Sequence, residues 1–236
     1  MTKQKESSND ILQQLNAADR AKVDVHLEPV PMAFKETLFE FNKPIKYVYF
    51  PTSGVASLVT DMREGGDIVE TGTIGREGMV GIPAFLGASR APGRAFVQVP
   101  GAALRMETKE LLATVARIDA LRQLLLLYTN ALMSMVAQSA ACNRAHAIEA
   151  RMARWLLTTH DRVDGDEFPL TQEFIGQMLG VRRPAVNIAG RSLQAAELIT
   201  YSRGKIRILD RPGLEEVSCE CYRVVAKQMQ TVRLAR

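Results

Sequence analysis

The sequence predicts an α+β chain with an N-terminal β-roll, a long helix and a C-terminal winged helix-turn-helix. Three observations predict it. From Val30 to Met106, short strand-like runs alternate with Gly, Pro and Asp turns. From Ile118 to Cys142, apolar residues recur in alternating steps of three and four. From Leu170 to Ile199, two short helical patterns meet at a tight turn, and a basic hairpin follows them.

Residues 1–9 are polar and read as a disordered tail, and Ile11 to about Val23 reads as a short helical lead-in. The strand-like runs are Leu38–Phe41, Tyr47–Phe50, Val55–Thr60, Ile68–Thr73, Ala95–Val99 and Ala103–Met106, with a hairpin turn at Arg63-Glu64-Gly65-Gly66. Many short strands with regular turns predict a roll or small sandwich. Glu107–Val115 turns helical, and the long helix follows. Its seam is Ile118, Leu121, Leu125, Tyr128, Leu132 and Met135, running on to Ser139 and Cys142. Such a stripe suits a paired helix, and it also suits a helix buried in its own core. Asn143–His146 reads as a hinge, Ile148 to about Arg162 as a helix, and Pro212 to about Leu234 as one last helix. The expected organisation is 1–107 tail and roll, 108–146 long helix and hinge, and 147–236 winged helix.

In the C-terminal motif, Thr171 is a helix N-cap and Gly180 suits a left-handed helix end. Gly176 permits close helix approach. Ile175, Met178 and Leu179 form one inner face, and Val186, Ala189 and Leu193 the other. The outer face of the second helix carries Arg182, Arg183, Asn187 and Arg191, a surface suited to the DNA major groove. The hairpin places Arg203 and Lys205 at its tip, where phosphate is the natural partner. Thr171–Arg207 holds six basic and two acidic residues, a surplus equal to the +4 of all 236 residues. The positive charge is therefore concentrated where a nucleic acid would lie.

Composition narrows the other classes. Three cysteines, Cys142, Cys219 and Cys221, are too few for a disulfide framework. The polar N-terminus lacks an apolar secretion segment, so a cytoplasmic location is expected. The stretch between Arg122 and Arg144 has no charged residue, but Gln123, Thr129, Asn130, Ser134, Gln138, Ser139 and Asn143 argue against a membrane span. No catalytic motif is visible, and no enzyme activity is expected. His26, His146 and His160 are scattered without metal-ligand spacing, and residues i and i+2 of a helix, as Cys219 and Cys221 are read, do not share a face. No metal or cofactor is expected. The alternative is a thiol or redox sensor acting through Cys142 or Cys219/Cys221.

The order of roll, long helix, hinge and winged helix resembles the Crp/Fnr regulators related to the cyclic-AMP receptor protein. The best local matches are Tyr49-Phe50-Pro51-Thr52-Ser53-Gly54-Val55 and Thr171–Ile199. The resemblance implies that the roll is a cyclic-nucleotide-binding-like jelly roll with a sensory role. It also implies a homodimer pairing through the long helices, with the six seam residues above as the interface. Two recognition helices would read a near-palindromic site in double-stranded DNA, through Thr171, Gln172, Arg182, Arg183, Asn187, Ile188, Arg191, Arg203 and Lys205. RNA polymerase is a candidate partner.

The family's nucleotide cassette runs from Gly-Glu-Leu to Arg-Ser-Ala. Here the matching run is Gly78-Met79-Val80-Gly81 to Gly93-Arg94-Ala95. Met79 stands in place of the ribose-binding Glu, and a thioether cannot accept strong hydrogen bonds. Arg94 is one place out of register, with Arg90 nearby. Gly78, Met79, Gly81, Arg90 and Arg94 thus mark a candidate effector pocket for a ligand other than cyclic AMP, on a stretch that also reads as a turn-rich cap. An Fnr-type iron–sulfur cluster needs cysteines near the N-terminus, and none precedes Cys142. Arg183 matches the family's guanine-reading Arg. Pro184 and Ile188 replace its Glu and second Arg, so the operator should differ from that of the receptor.

Overall fold

The computed structural model describes residues 9–62 and 68–233, without the side chain of Arg233. The tail at 1–8, the hairpin turn expected at 63–66 and the end of the last helix at Leu234 lie outside the described residues. The chain forms two compact units, 1–58 with 74–133 and 229–236, and 59–73 with 134–228.

The first unit begins with two helices, α1 (Asp10–Gln13) and α2 (Ala17–Asp24), where one lead-in helix was expected. Asn9, assigned to the tail, is fully buried. Its side chain caps α1 and donates to the carbonyls of Pro51 and Gly78. The roll is an antiparallel arrangement built from β1 (Glu28–Met32), β2 (Thr37–Phe39), β3 (Tyr47–Asp61), β4 (Ile68–Ile74) and β5 (Arg94–Glu107), of which the end of β3 and all but the last residue of β4 are counted in the second unit. Its sheet runs β1-β5-β3-β4, with β2 also paired to β5. Two pairs of expected strands are single long ones. Pro51, Gly54, Pro100 and Gly101 read as turns in sequence, yet β3 and β5 run through them. Gly54 has φ +77°, and a Cβ there would meet the Val99 carbonyl oxygen at 2.6 Å. This glycine permits close backbone approach rather than a chain reversal. Short helix α3 (Ile82–Phe85) and helix α4 (Thr108–Val115) complete the region before the long helix.

Helix α5 (Asp119–Ala145) has the length and hydropathy of a bilayer span. One of its apolar stripes is packed inside the chain. Leu121, Leu125 and Tyr128 are fully buried, and Leu132 and Met135 nearly so. Tyr128 lies directly against the Gly78 backbone, leaving no room there for a side chain.

The second unit holds the later part of α5, then α6 (Ile148–His160), β6 (Glu167–Pro169), α7 (Gln172–Leu179), α8 (Arg183–Ala195), β7 (Ile199–Ser202) and β8 (Lys205–Ile208). Two helices close it, α9 (Arg211–Val217) and α10 (Cys221–Arg233), where one was expected. Trp155, Leu156 and Leu157 of α6 are buried with Ile175, Val186 and Leu193. The Trp155 indole donates to Glu70 at 2.7 Å. Arg211 fixes the start of α9 by donating to Asp161 and to the Tyr222 hydroxyl, at 2.7 and 2.6 Å. Burial and the nearby Asp161 carboxylate push the Tyr222 phenol well above its ordinary range.

Candidate nucleic-acid interface

Helices α7 and α8 form the expected helix-turn-helix. The Thr171 hydroxyl accepts from the Phe174 backbone N–H at 3.1 Å, satisfying an otherwise open donor. Gly180 ends α7 at φ +64°, a conformation without steric cost only for glycine. At Gly176 a Cβ would sit 2.9 Å from the Val181 carbonyl oxygen, so the turn closes only over hydrogen. Phe174, Ile175, Met178 and Leu179 are buried on α7, and Val186, Ala189 and Leu193 on α8.

This leaves one side of α8 open. Arg182 is its N-cap residue, and Arg182, Arg183, Ile188 and Arg191 are all exposed. Ile188 is 72% exposed and adds an apolar contact point to this basic face. Asn187 is half-buried, and its amide donates to the Gln172 side-chain oxygen at 3.3 Å. That bond leaves the Asn187 oxygen and the Gln172 nitrogen as an outward donor–acceptor pair. Gln172 is further placed by its backbone N–H, which donates to the Tyr201 hydroxyl at 3.0 Å.

The wing is a three-stranded antiparallel sheet, β6-β8-β7. Its turn carries Arg203 at φ +51° and Gly204 at φ +76°, as a tight hairpin requires. Arg203 is exposed at the tip. Lys205 differs from the expectation, because Glu167 on β6 pairs with both Lys205 and Arg207, at 2.9 and 3.0 Å. Those two cations hold the Glu167 carboxyl below its ordinary range. Strand β6 was not legible in sequence, so this neutralising carboxylate was missed, and the positive charge available at the wing is smaller than the count over Thr171–Arg207 implied.

The expected dimer seam is corrected by burial. Ile118, Leu121, Leu125, Tyr128, Leu132 and Met135 are all buried within the single chain. They serve its own core and offer no free face. The other side of α5 is open, and Leu126, Asn130, Met133, Ala137 and Ala140 are exposed there, again in steps of four and three. Met133 is 67% exposed.

The candidate effector residues do not converge either. Met79 is wholly inside the core. Gly78 is covered by Tyr128, and Gly81, at φ +111°, abuts Val48. Arg90 is exposed and donates to the Asn42 carbonyl at 2.7 Å, while Arg94 lies over the Phe96 ring. The stretch behaves as a packed cap.

The reading of the cysteines also changes. Helix α9 stops at Val217 and α10 starts at Cys221, so Cys219 and Cys221 flank a break instead of sharing one helix. Both thiols meet Cys142, and the Cys142 and Cys219 sulfurs lie 3.5 Å apart. His146, four residues after Cys142, brings its Nδ1 to 3.7 Å from the Cys221 sulfur. The thiols are free and buried. Burial pushes the Cys142 thiol up and that of Cys219 up to about 12. The sequence signal for this is the Cys-x-x-x-His spacing across the end of α5, one helical turn, with the His146 N–H donating to the Cys142 carbonyl.

Residues 150–217 match the Crp-like helix-turn-helix domain. No curated protein sequence matches the chain. Among solved structures, FixK2 from Bradyrhizobium japonicum is similar with a TM-score of 0.66 at 13% identity, covering 82% of this chain and 98% of that one. CLP of Xanthomonas campestris, a c-di-GMP-responsive global regulator, has a TM-score of 0.64 at 15% identity, covering 83% of this chain and 100% of its own. A CRP-family transcriptional regulator from Thermus thermophilus has a TM-score of 0.64 at 20% identity, covering 80% of this chain and 96% of its own. At these identities the likeness is one of fold.

Proposed function

We propose that this chain, a transcriptional regulator of the Crp/Fnr family, works as a homodimer that reads a near-palindromic operator through α8. The observation that carries this reading is the exposed face of α8, where Arg182, Arg183, Ile188 and Arg191 project from a helix whose opposite side is buried. Arg183, at the first turn, has the reach and planar fork to donate two hydrogen bonds to a guanine edge. The paired amides of Asn187 and Gln172 suit an adenine edge, and Ile188 suits a thymine methyl. Arg203 at the wing tip meets phosphate and sets affinity without sequence preference.

The dimer seam in this reading is the open stripe Leu126–Asn130–Met133–Ala137–Ala140. It has heptad spacing and small residues toward its end, which allow helices to approach closely. Cyclic AMP is not the effector. A buried thioether at Met79 offers no acceptor for ribose hydroxyls, and Arg90 and Arg94 are engaged elsewhere. A cytoplasmic location and RNA polymerase as a further partner belong to the same reading.

Footprinting of the purified protein on genomic fragments tests it. Protection should fall on two half-sites centred about one helical turn apart, with light scattering showing a dimer. Addition of cyclic AMP should leave the affinity unchanged. A single protected half-site bound by a monomer would overturn it.

A further inference from the structure

We propose that Cys142, His146, Cys219 and Cys221 form a closed tetrahedral site for one Zn²⁺ ion, which pins the α5–α6 hinge to the α9–α10 turn. The four donor atoms all lie within 4.8 Å of one another. Zinc bonds to sulfur and nitrogen, near 2.3 and 2.0 Å, place tetrahedral ligand atoms about 3.5–3.8 Å apart. The observed 3.5 Å between the Cys142 and Cys219 sulfurs and 3.7 Å between Cys221 and His146 already have that spacing. A multi-iron cluster would interpose several atoms between its thiolates and demand a wider cage.

The surroundings fit a ligand set better than a packing cluster. Packing explains three buried thiols, but not an imidazole held against them by a carboxylate. His146 Nε2 lies 3.2 Å from Glu220, so a proton on Nε2 has an acceptor and Nδ1 is the ring nitrogen that faces the sulfurs. Gln138 donates to the Cys221 sulfur at 3.0 Å, a bond that stabilises a thiolate. Binding would convert three thiols to thiolates, form three metal–sulfur bonds and one metal–nitrogen bond, and release three protons to solvent. The site then carries a net charge of one minus. Arg151 and Arg154 are both buried and near enough to act electrostatically on Cys142. The Nε atoms of both guanidinium groups are buried without a hydrogen-bond partner among the described residues, and a thiolate-rich centre supplies a counter-charge beside them.

The placement suggests what the ion does. Four protein ligands leave no open position, so the site is structural rather than catalytic. Cys142 lies in the last turns of α5 and His146 just beyond its end, at the junction with α6. Arg151 on α6 donates to the Leu179 carbonyl at the end of α7. The ion, the hinge and the helix-turn-helix are thus joined by consecutive contacts. Regulation of DNA binding by zinc rests on the function proposed above, whereas the site itself does not.

The test starts with the full-length protein purified without chelator. Elemental analysis should find one zinc per chain. Exchange for Co²⁺ should give thiolate charge-transfer and tetrahedral visible bands. Cys142→Ser should abolish both. Because a buried Cys→Ser change can unfold the chain, Glu220→Gln provides a second variant that keeps all four ligands, and it should weaken zinc affinity about 10–100-fold. A folded wild-type protein that takes up neither zinc nor cobalt would overturn the site, as would a Cys142–Cys219 disulfide in freshly purified protein. Operator affinity of the zinc-loaded and zinc-free forms is measured separately. Equal affinities would refute the regulatory role while leaving the stoichiometry intact, and absence of any DNA binding would count against the function alone.

Discussion

Helices α8 and α5 each bury one face, yet they differ in how plainly their residues declare which face turns inward. On α8 the two faces contrast chemically. Val186, Ala189 and Leu193 are buried, and Arg183 and Arg191 face outward. On α5 both faces are apolar. Leu121, Leu125 and Tyr128 follow one heptad stripe, and Leu126, Met133, Ala137 and Ala140 follow another. Periodicity marks where stripes lie, but only a difference in polarity assigns each stripe to core or surface.

The strongest way to break this comparison is on α5. Leu125→Ala removes a fully buried side chain and should cost about 2–5 kcal/mol in urea denaturation. Met133→Ala, on the exposed stripe, should change the stability of the fold by about 0.5 kcal/mol or less while weakening the dimer in light scattering. A stable Leu125→Ala protein that dissociates into monomers would return the interface to the inner stripe.

On α7, Gly176→Val should cost about 1–3 kcal/mol through overpacking against the Val181 carbonyl. Circular dichroism melts would show it, and operator binding should fall as α8 loses its seat. Unchanged melting and binding would mean that the turn can give.

Arg183→Ala should leave the melting temperature alone and cost about 1–3 kcal/mol on the preferred operator, relaxing one base position in each half-site. Fluorescence anisotropy over a panel of single-base operator variants reads both effects. An unchanged base preference would show that Arg183 meets only phosphate.

The smallest effect belongs to the wing. Glu167→Gln frees Lys205 and Arg207 and should steepen the salt dependence of DNA binding by roughly one charge, while Arg203→Ala should flatten it by about as much. The pH dependence has a definite sign. Glu167 is held below its ordinary range in the folded wing, so its pairing contributes above the unfolded value of about 4.3. That contribution is lost as pH falls through the lowered folded value. A wild-type protein whose wing grew more stable on acidification would contradict the pairing.

Much of the helix-turn-helix was legible because its determinants are local. Thr171 caps its own helix, Gly180 ends it, and the apolar spacing of each helix closes on itself within a few turns. The roll was legible as alternating strands but not as a sheet. The breaks read at Gly54 and Gly101 were close approaches between strands far apart in sequence. Glu167 was missed for the same reason, since its partners Lys205 and Arg207 lie about forty residues on.

The sequence by itself determined the helix-turn-helix and the residues it turns outward, because its cap, its turn glycine and its apolar spacing rest on residues at short range. Tertiary structure alone decided which stripe of α5 is spent on the core, and that Cys142 and His146 meet Cys219 and Cys221 across more than seventy residues. A helical period is a property of one segment. Burial and coordination are properties of whatever segment the fold brings against it, and that depends on the whole chain finding one packing for all its apolar faces.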